Sequence, residues 1–410
     1  MFKKDIQFYK FSAYGFFKNL QLFEIFFILF LRETGLSYLQ IGSLYSIRQI
    51  TTNLLEIPSG IFADTVGRKT TLIAGMFFYL VSFISFYFSN DFLFLGIAML
   101  FFGAGEACRS GTHKAMILIY LEKNNYLQYK THYYGATRSW SQIGSALSSL
   151  LAITVLLIDH NYRLLFLVSS IPYAIDTIII WTYPDYLNGE KKLEGRKKHL
   201  FLEFKETTIN FFQLFKNAAI LRTLFSASSY IALYKSMKDY LQPMLKSFAL
   251  GVPVLTAVNK DQRSAIIIGI IYFFIYLMTS YTSKNAWKVE QKFRHLTSAI
   301  NITYLAGIGS VFFAGIFMKF DLILISVIIF IGLYLVQNIR RPLTVSYLGE
   351  RINSKVMASG LSAESQLETI IVAIIAPVFG FFVDVWDLST ALIIIAGIYL
   401  AIFPLIKLKK

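Results

Sequence analysis

Apolar runs of about twenty residues recur along the whole chain, separated by short polar loops. A helix rises 1.5 Å per residue and a bilayer's hydrocarbon core is about 30 Å thick, so each run has the length of one crossing. The runs fall at Phe8–Leu31, Tyr38–Phe62, Thr70–Phe88, Phe92–Tyr120, Thr131–Leu157 and Leu164–Tyr183. They resume at Ala219–Leu245, Ala265–Ser283, Leu296–Phe317, Leu322–Leu348, Ser354–Val383 and Leu388–Leu408. Of 410 residues, 56% are hydrophobic and only 15% charged, and 39 are Phe. A soluble domain carries roughly a quarter charged residues. The expectation is an all-α integral membrane protein of about twelve transmembrane helices. The basic start, Lys3 and Lys4, is followed by no small-residue cleavage site, so the first run reads as a retained helix.

Lys and Arg alternate between loops. One side holds Lys3, Lys4 and Lys10, then Arg68 and Lys69, Lys123 and Lys130, and Lys191 to Lys205. It continues with Lys284 to Arg294, Arg351 and Lys355, and Lys407 to Lys410. The other side holds few: Arg32, Arg163, Lys246, Lys260, Arg263 and Lys319. The positive-inside rule then places both termini in the cytoplasm, with the plasma membrane (an inner membrane) as the location. The net charge of +15 is explained by this asymmetry and by anionic headgroups, not by nucleic acid. The longest polar stretch, Pro184–Lys216, divides the chain into bundles at 1–183 and 217–410, joined by a cytoplasmic linker at 184–216. Within it, Leu200–Phe215 mixes Phe with charges and reads as a helix lying on the inner membrane surface.

Enzyme chemistry finds little support. The single cysteine, Cys108, lies in an apolar run and excludes an internal disulfide. No HExxH, P-loop, GxGxxG or GxSxG spacing occurs, so neither a cofactor nor a metal is expected.

The loop after the second run reads Gly60-Ile-Phe-Ala-Asp64-Thr-Val-Gly67-Arg68-Lys69. It resembles the major facilitator superfamily signature, G-x-x-x-D-x-x-G-R-K/R, and the preceding Glu56-Ile-Pro58-Ser-Gly60 is similar to the second-helix end of many members. The resemblance implies two six-helix bundles, with spans one, four, seven and ten lining a central cavity. It also implies a cytoplasmic latch formed by Gly60, Asp64, Gly67 and Arg68. The spacing is physically sensible: Gly60 lets helices approach, Gly67 allows a tight turn, and Asp64 suits a helix N-terminus. Two departures stand out. Thr65 replaces a basic residue common in the family, and Arg138 to Leu147 lacks the G-P-x-x-G-G pattern of drug–proton antiporters.

Charges within apolar runs are costly and each asks for a partner or a polar space. The first run has Lys18 and Glu24, which lie on different faces. The fourth has Glu106 and Arg109, three apart and able to neutralise each other, then His113 and Lys114. The seventh has Tyr230, Tyr234, Lys235, Lys238, Asp239 and Gln242, where the i,i+4 spacing pairs Lys235 with Asp239 and leaves Lys238 over. Pro243 is expected to open that helix. The tenth has Tyr334, Arg340 and Arg341. Arg48 lies about 15 Å from the outer end, and Glu364 and Glu368 about 15–20 Å from the inner end. A coupling or inter-bundle role therefore falls to Arg48, Glu364, Glu368 and Glu24, with Arg48 pairing one of the two glutamates. Arg138 would support the latch.

The resulting expectation is a monomeric secondary transporter in lipid that moves a small anionic or polar organic solute by alternating access. Lys238, Arg109, Tyr234, Gln242 and Arg341 are its candidate substrate residues, with Tyr14, Tyr230 and Tyr334 available to stack on an organic part. A proton is the expected coupling ion, and facilitated diffusion stays open. The alternatives are an exporter of lipophilic drugs or lipids and a non-transporting membrane receptor.

Overall fold

The computed structural model describes residues 3–188, 218–253, 258–351 and 357–409. Most of the linker at 184–216, including the expected surface helix Leu200–Phe215, lies outside the described residues. Among those described there is helix but no strand. In chain order the helices are α1 (Ile6–Lys18), α2 (Phe27–Glu33), α3 (Tyr38–Thr65), α4 (Arg68–Phe88), α5 (Phe92–Arg109), α6 (Thr112–Lys123), α7 (Lys130–Ile158) and α8 (Tyr162–Trp181). After the linker come α9 (Ala218–Met237), α10 (Leu241–Gly251), α11 (Lys260–Lys284), α12 (Ala286–Gln291), α13 (Leu296–Lys319), α14 (Ile323–Arg351), α15 (Met357–Val385) and α16 (Leu388–Ile406).

Among the described residues, nine helices are long and apolar enough to cross a membrane. The first, second and seventh apolar runs are not in that set, for physical reasons. The first and seventh are each interrupted, into α1 and α2 and into α9 and α10. The second forms one 28-residue helix whose middle is polar through Arg48, Gln49, Thr51, Thr52 and Asn53. The protein is an all-α integral membrane protein.

Helix starts follow the capping rule, in which a short polar side chain accepts one of the first free N–H groups. Asp5 accepts from Phe8 N–H at 2.9 Å, Asp91 from Phe94 at 3.1 Å, and Asn161 from Arg163 at 2.9 Å. Asp387 accepts from Thr390 N–H at 2.8 Å.

By packing, the chain groups into two units. The first comprises Met1–Leu36, Ile47–Glu194 and Pro253–Leu277; the second comprises Ser37–Ser46, Gly195–Val252 and Met278–Lys410. In the first, α1 packs on α7 and α8, and α4 packs on α5 and α8. Small residues permit this. A side chain on Gly144 would strike the Phe16 carbonyl, and one on Gly75 would meet the backbone of Gly105 at 3.3 Å. Much of the chain's Phe content fills this interior: Phe23 stacks on Phe166 at 4.5 Å, and Phe86 on Phe166 at 4.9 Å.

In the second unit, α13 packs on α14 and α16, and α9 on α15. Leu224, Leu348, Ala363 and Leu367 form one apolar cluster, and Ala299, Ile300, Leu343, Tyr347 and Leu408 another. The first residues of α3 belong to this unit. Their N-terminus is held by a residue far along the chain: Asp384 accepts from Tyr38 N–H at 2.9 Å and Leu39 N–H at 2.7 Å. A carboxylate suits this place because the helix start carries partial positive charge.

Asp384→Ala removes both acceptors and should lower stability by about 1–2 kcal/mol, with Asp384→Asn falling between. Thermal unfolding in detergent reads this out. An unchanged melting temperature for Asp384→Ala would show that the cap is idle.

Candidate functional site

Three of the four runs expected to carry the site are broken, and each break adjoins charge. The first run stops at Lys18 and resumes as a short 3₁₀ turn at Glu24–Phe26 before α2. The fourth stops at Arg109, and Gly111, at φ +78°, turns the chain into α6. The seventh stops at Met237, and Lys238–Tyr240 form a 3₁₀ turn before α10. In hydrocarbon, a broken helix is tolerated where side chains or a polar space satisfy the freed backbone groups. At the first break Leu22 N–H donates to Ser169 Oγ at 3.0 Å, and the Asn19 amide donates to Gly15 O at 2.6 Å. Gln21 also donates to the Tyr173 hydroxyl.

In the first unit, Glu106 on α5 is the centre of a polar cluster. It receives Arg109 Nη2 at 2.8 Å, Lys18 Nζ at 3.5 Å and the hydroxyl of Tyr79 on α4. The three charged side chains retain 25%, 30% and 14% exposure, in the order Glu106, Arg109, Lys18. Lipid contact with a charged group costs several kcal/mol. Tyr14 lies face to face with His113, ring centroids 3.9 Å apart, and is buried, so it is enclosed and not available for stacking on a solute. Asp176 on α8 is fully buried, with no side-chain hydrogen-bond partner among the described residues.

In the second unit the charges are paired differently from the expectation. Lys238 lies 2.9 Å from the carboxylate of Asp239, which also accepts from the Tyr45 hydroxyl at 2.7 Å. Lys235 reaches Glu368. The notion of Lys238 as the ammonium left over is therefore corrected. The break in the chain also precedes Pro243, which sits in the first turn of α10, where a missing N–H is harmless. Glu364 is bound by Arg341 and Glu368 by Lys235, so the two glutamates expected to answer Arg48 have partners inside their own unit. Arg48 lies over the ring of Phe102 at 5.6 Å. Glu24 stands in the 3₁₀ turn of the first break.

Tyr234 and Tyr334 meet edge to face at 5.6 Å, and the Tyr334 hydroxyl donates to Lys238 O at 2.6 Å, across the third break. Gln242 is fully buried beside it in sequence, in the first turn of α10. Arg340 is 1% exposed and has a wholly internal role. It lies over the rings of Tyr230 and Tyr304 at 4.9 and 5.0 Å and donates to Ser226 O and Oγ, both at 2.9 Å, and to Ile300 O. Tyr230 is thus enclosed, not available for stacking on a solute. Gly307 leaves room for its hydroxyl.

The signature loop joins α3 to α4. Asp64, in the last turn of α3, pairs with Arg68 at 3.4 Å, the first residue of α4. Gly67 takes φ +127°, a conformation that strains any other residue, and a Cβ there would lie 3.0 Å from Asn188 Oδ1. That same oxygen accepts from Lys69 N–H at 2.9 Å, and Lys69 Nζ donates to Tyr183 O at 3.0 Å. Gly60 departs from its expected role: it is exposed, and a side chain there would meet open space.

The Major Facilitator Superfamily profile matches residues 14–365. The chain belongs to the major facilitator superfamily. A curated relative, the uncharacterised MFS-type transporter YxaM of Bacillus subtilis (strain 168), is 30% identical over 107 residues, which is 26% of each chain. The match therefore spans about a quarter of that relative's length. A mutant of the nucleoside transporter NupG superposes with a TM-score of 0.75 at 15% identity, covering 99% of both chains. A POT family transporter in complex with 5-aminolevulinic acid gives 0.72 at 12% identity, covering 97% of this chain and 94% of that one. A D-xylose–proton symporter gives 0.66 at 13% identity, covering 98% of both. These likenesses establish the fold.

The sequence reading found the Glu106–Arg109 pair. It missed Tyr79, Tyr173 and Asp176. Only Asp176 left a local signal, as the sole acidic residue within the run Leu164–Tyr183.

Glu106→Gln should cost about 3–5 kcal/mol, because it strands two cations at once. Adding Lys18→Met should recover part of that loss in thermal unfolding. Strictly additive losses would show that Lys18 and Arg109 do not share this carboxylate.

Proposed function

We propose that this superfamily transporter is a secondary active carrier of a small polar or anionic organic solute, working by alternating access with proton coupling. The observation that carries the reading is the cluster of Lys18, Glu106 and Arg109 where α1 and α5 both end. Broken helices that present charged side chains and free backbone groups inside a membrane are the usual construction of solute sites in such carriers. Two cations around one carboxylate leave a net positive charge, which favours an anionic group. The solved neighbours' own solutes, a nucleoside, 5-aminolevulinic acid and D-xylose, are all small and polar, which fits this reading.

We further infer six-helix bundles at 1–183 and 217–410, with both termini and the 184–216 linker cytoplasmic in the plasma membrane. The alternation of Lys and Arg between loops supports this orientation. Asp64, Gly67 and Arg68 would hold the cytoplasmic turn between α3 and α4, with Asn188 as the acceptor that fixes it.

Purified protein in liposomes, offered a panel of labelled organic anions, nucleosides, short peptides and sugars, tests the reading. Saturable uptake of one polar class is expected. It should rise with a pH gradient and fall at least tenfold in Arg109→Gln. Uptake confined to lipophilic compounds would favour an exporter of drugs or lipids, and binding without uptake would favour a receptor. Reporter fusions at Asn188 and Lys260 should report opposite compartments; the same compartment for both would overturn the orientation.

A further inference from the structure

We propose that the segment from Tyr281 to Arg294, built around α12, is a binding site for the headgroup of an anionic phospholipid. It lies in the second unit, apart from the charge cluster at Glu106, and is independent of the solute carried.

α11 and α13 are both long and apolar enough to cross a membrane. α11 ends at Lys284 and α13 begins at Leu296, so the short stretch between them lies at a membrane surface. That stretch is folded. α12 packs on α14 and α13, Ala286 is buried, and Phe293 packs on the apolar cluster around Leu343. The segment is thus pinned at both ends. Outward it shows two aromatic rings, Tyr281 and Trp287, 68% and 53% exposed, together with Lys284, Lys288, Lys292 and Arg294.

From Lys284 to Arg294 the four cations are set against a single acidic residue, Glu290. Among the described residues, none of the four has an ion pair or a side-chain hydrogen bond. Lys288 lies over the Trp287 ring at 5.7 Å. Lys288 and Lys292 are four positions apart, and the Lys292 N–H donates to Val289 O at 3.1 Å, so the helical turn carries both to one face. Like charges at that spacing destabilise a helix, and an anion between them removes the cost. The helix-end dipole accounts for Lys284 alone. Other basic residues on the Lys- and Arg-rich side of the loops are engaged within the protein. Lys10 donates to Thr182 O at 2.8 Å, Arg68 pairs with Asp64, Lys69 is held by Tyr183 O and Asp185, and Lys123 lies over the Tyr186 ring at 3.7 Å.

The aromatic rings decide the kind of anion. A soluble anion needs cations only. An exposed indole and phenol among those cations fit the headgroup layer, where rings meet the acyl boundary and ammonium and guanidinium groups meet phosphate. A zwitterionic lipid brings no net charge to answer four cations, so the occupant is an anionic lipid.

Trp287 reports on its own site. With Trp140, Trp181 and Trp386 changed to Phe, the full chain is placed in phosphatidylcholine bilayers containing a minor fraction of acyl-brominated lipid, which quenches a neighbouring indole. Brominated phosphatidylglycerol should quench Trp287 well above brominated phosphatidylcholine at the same fraction. Lys288→Gln, Lys292→Gln and Arg294→Gln should each cut that preference by about fivefold. Lys288→Arg with Lys292→Arg should keep it, which separates lost charge from lost fold. Glycerol phosphate or inorganic phosphate, added at constant ionic strength, should leave the quenching unchanged. Abolition by either would assign the site to a soluble anion and overturn the proposal. Equal quenching by the two brominated lipids, or quenching by neither, would overturn it as well.

Discussion

An ionised side chain inside a bilayer must be answered by an opposite charge, by dipoles or by water, and this chain places many of them at mid-helix depth. Its response is local. Lys18 and Arg109 share Glu106, Lys238 takes Asp239, Lys235 takes Glu368 and Arg341 takes Glu364. The helix breaks follow from the same constraint. A straight α-helix points its side chains where the 3.6-residue period dictates, whereas ending α1 at Lys18, α5 at Arg109 and α9 at Met237 re-aims charge within a turn. The freed backbone groups are then met by Ser169 at the first break and by Tyr334 at the third.

Not every buried charge serves the same end. Arg340 is sealed between Tyr230 and Tyr304 and bonded to Ser226 and to a carbonyl, so it holds α9, α13 and α14 together. The Lys18–Glu106–Arg109 cluster keeps partial exposure on all three members. Buried ion pairs are rarely worth more to stability than apolar residues of the same size.

The architecture was largely legible because runs of about twenty apolar residues admit one interpretation in any chain. Asp64, Gly67 and Arg68 were legible too, since a glycine at positive φ between two helices leaves a spaced pattern. The pairing of Lys235 was not. The i,i+4 rule that joined it to Asp239 requires a continuous helix, and the turn at Lys238–Tyr240 changes the phase between them. Tyr79 joins Glu106 through a contact between helices, which no local spacing records. Gly60 misled for the opposite reason: small residues mark close packing only where a neighbour is present, and here the space is open.

The central claim is that the charges beside the broken helices border water, not lipid. Cysteine accessibility at Ser110, which follows Arg109 and donates to Glu56 at 3.1 Å, measures this directly. In a Cys108→Ser background, Ser110→Cys should react with a charged, membrane-impermeant thiol reagent applied from the aqueous phase. Reaction only with a lipid-soluble maleimide would place the cluster against hydrocarbon and contradict the claim.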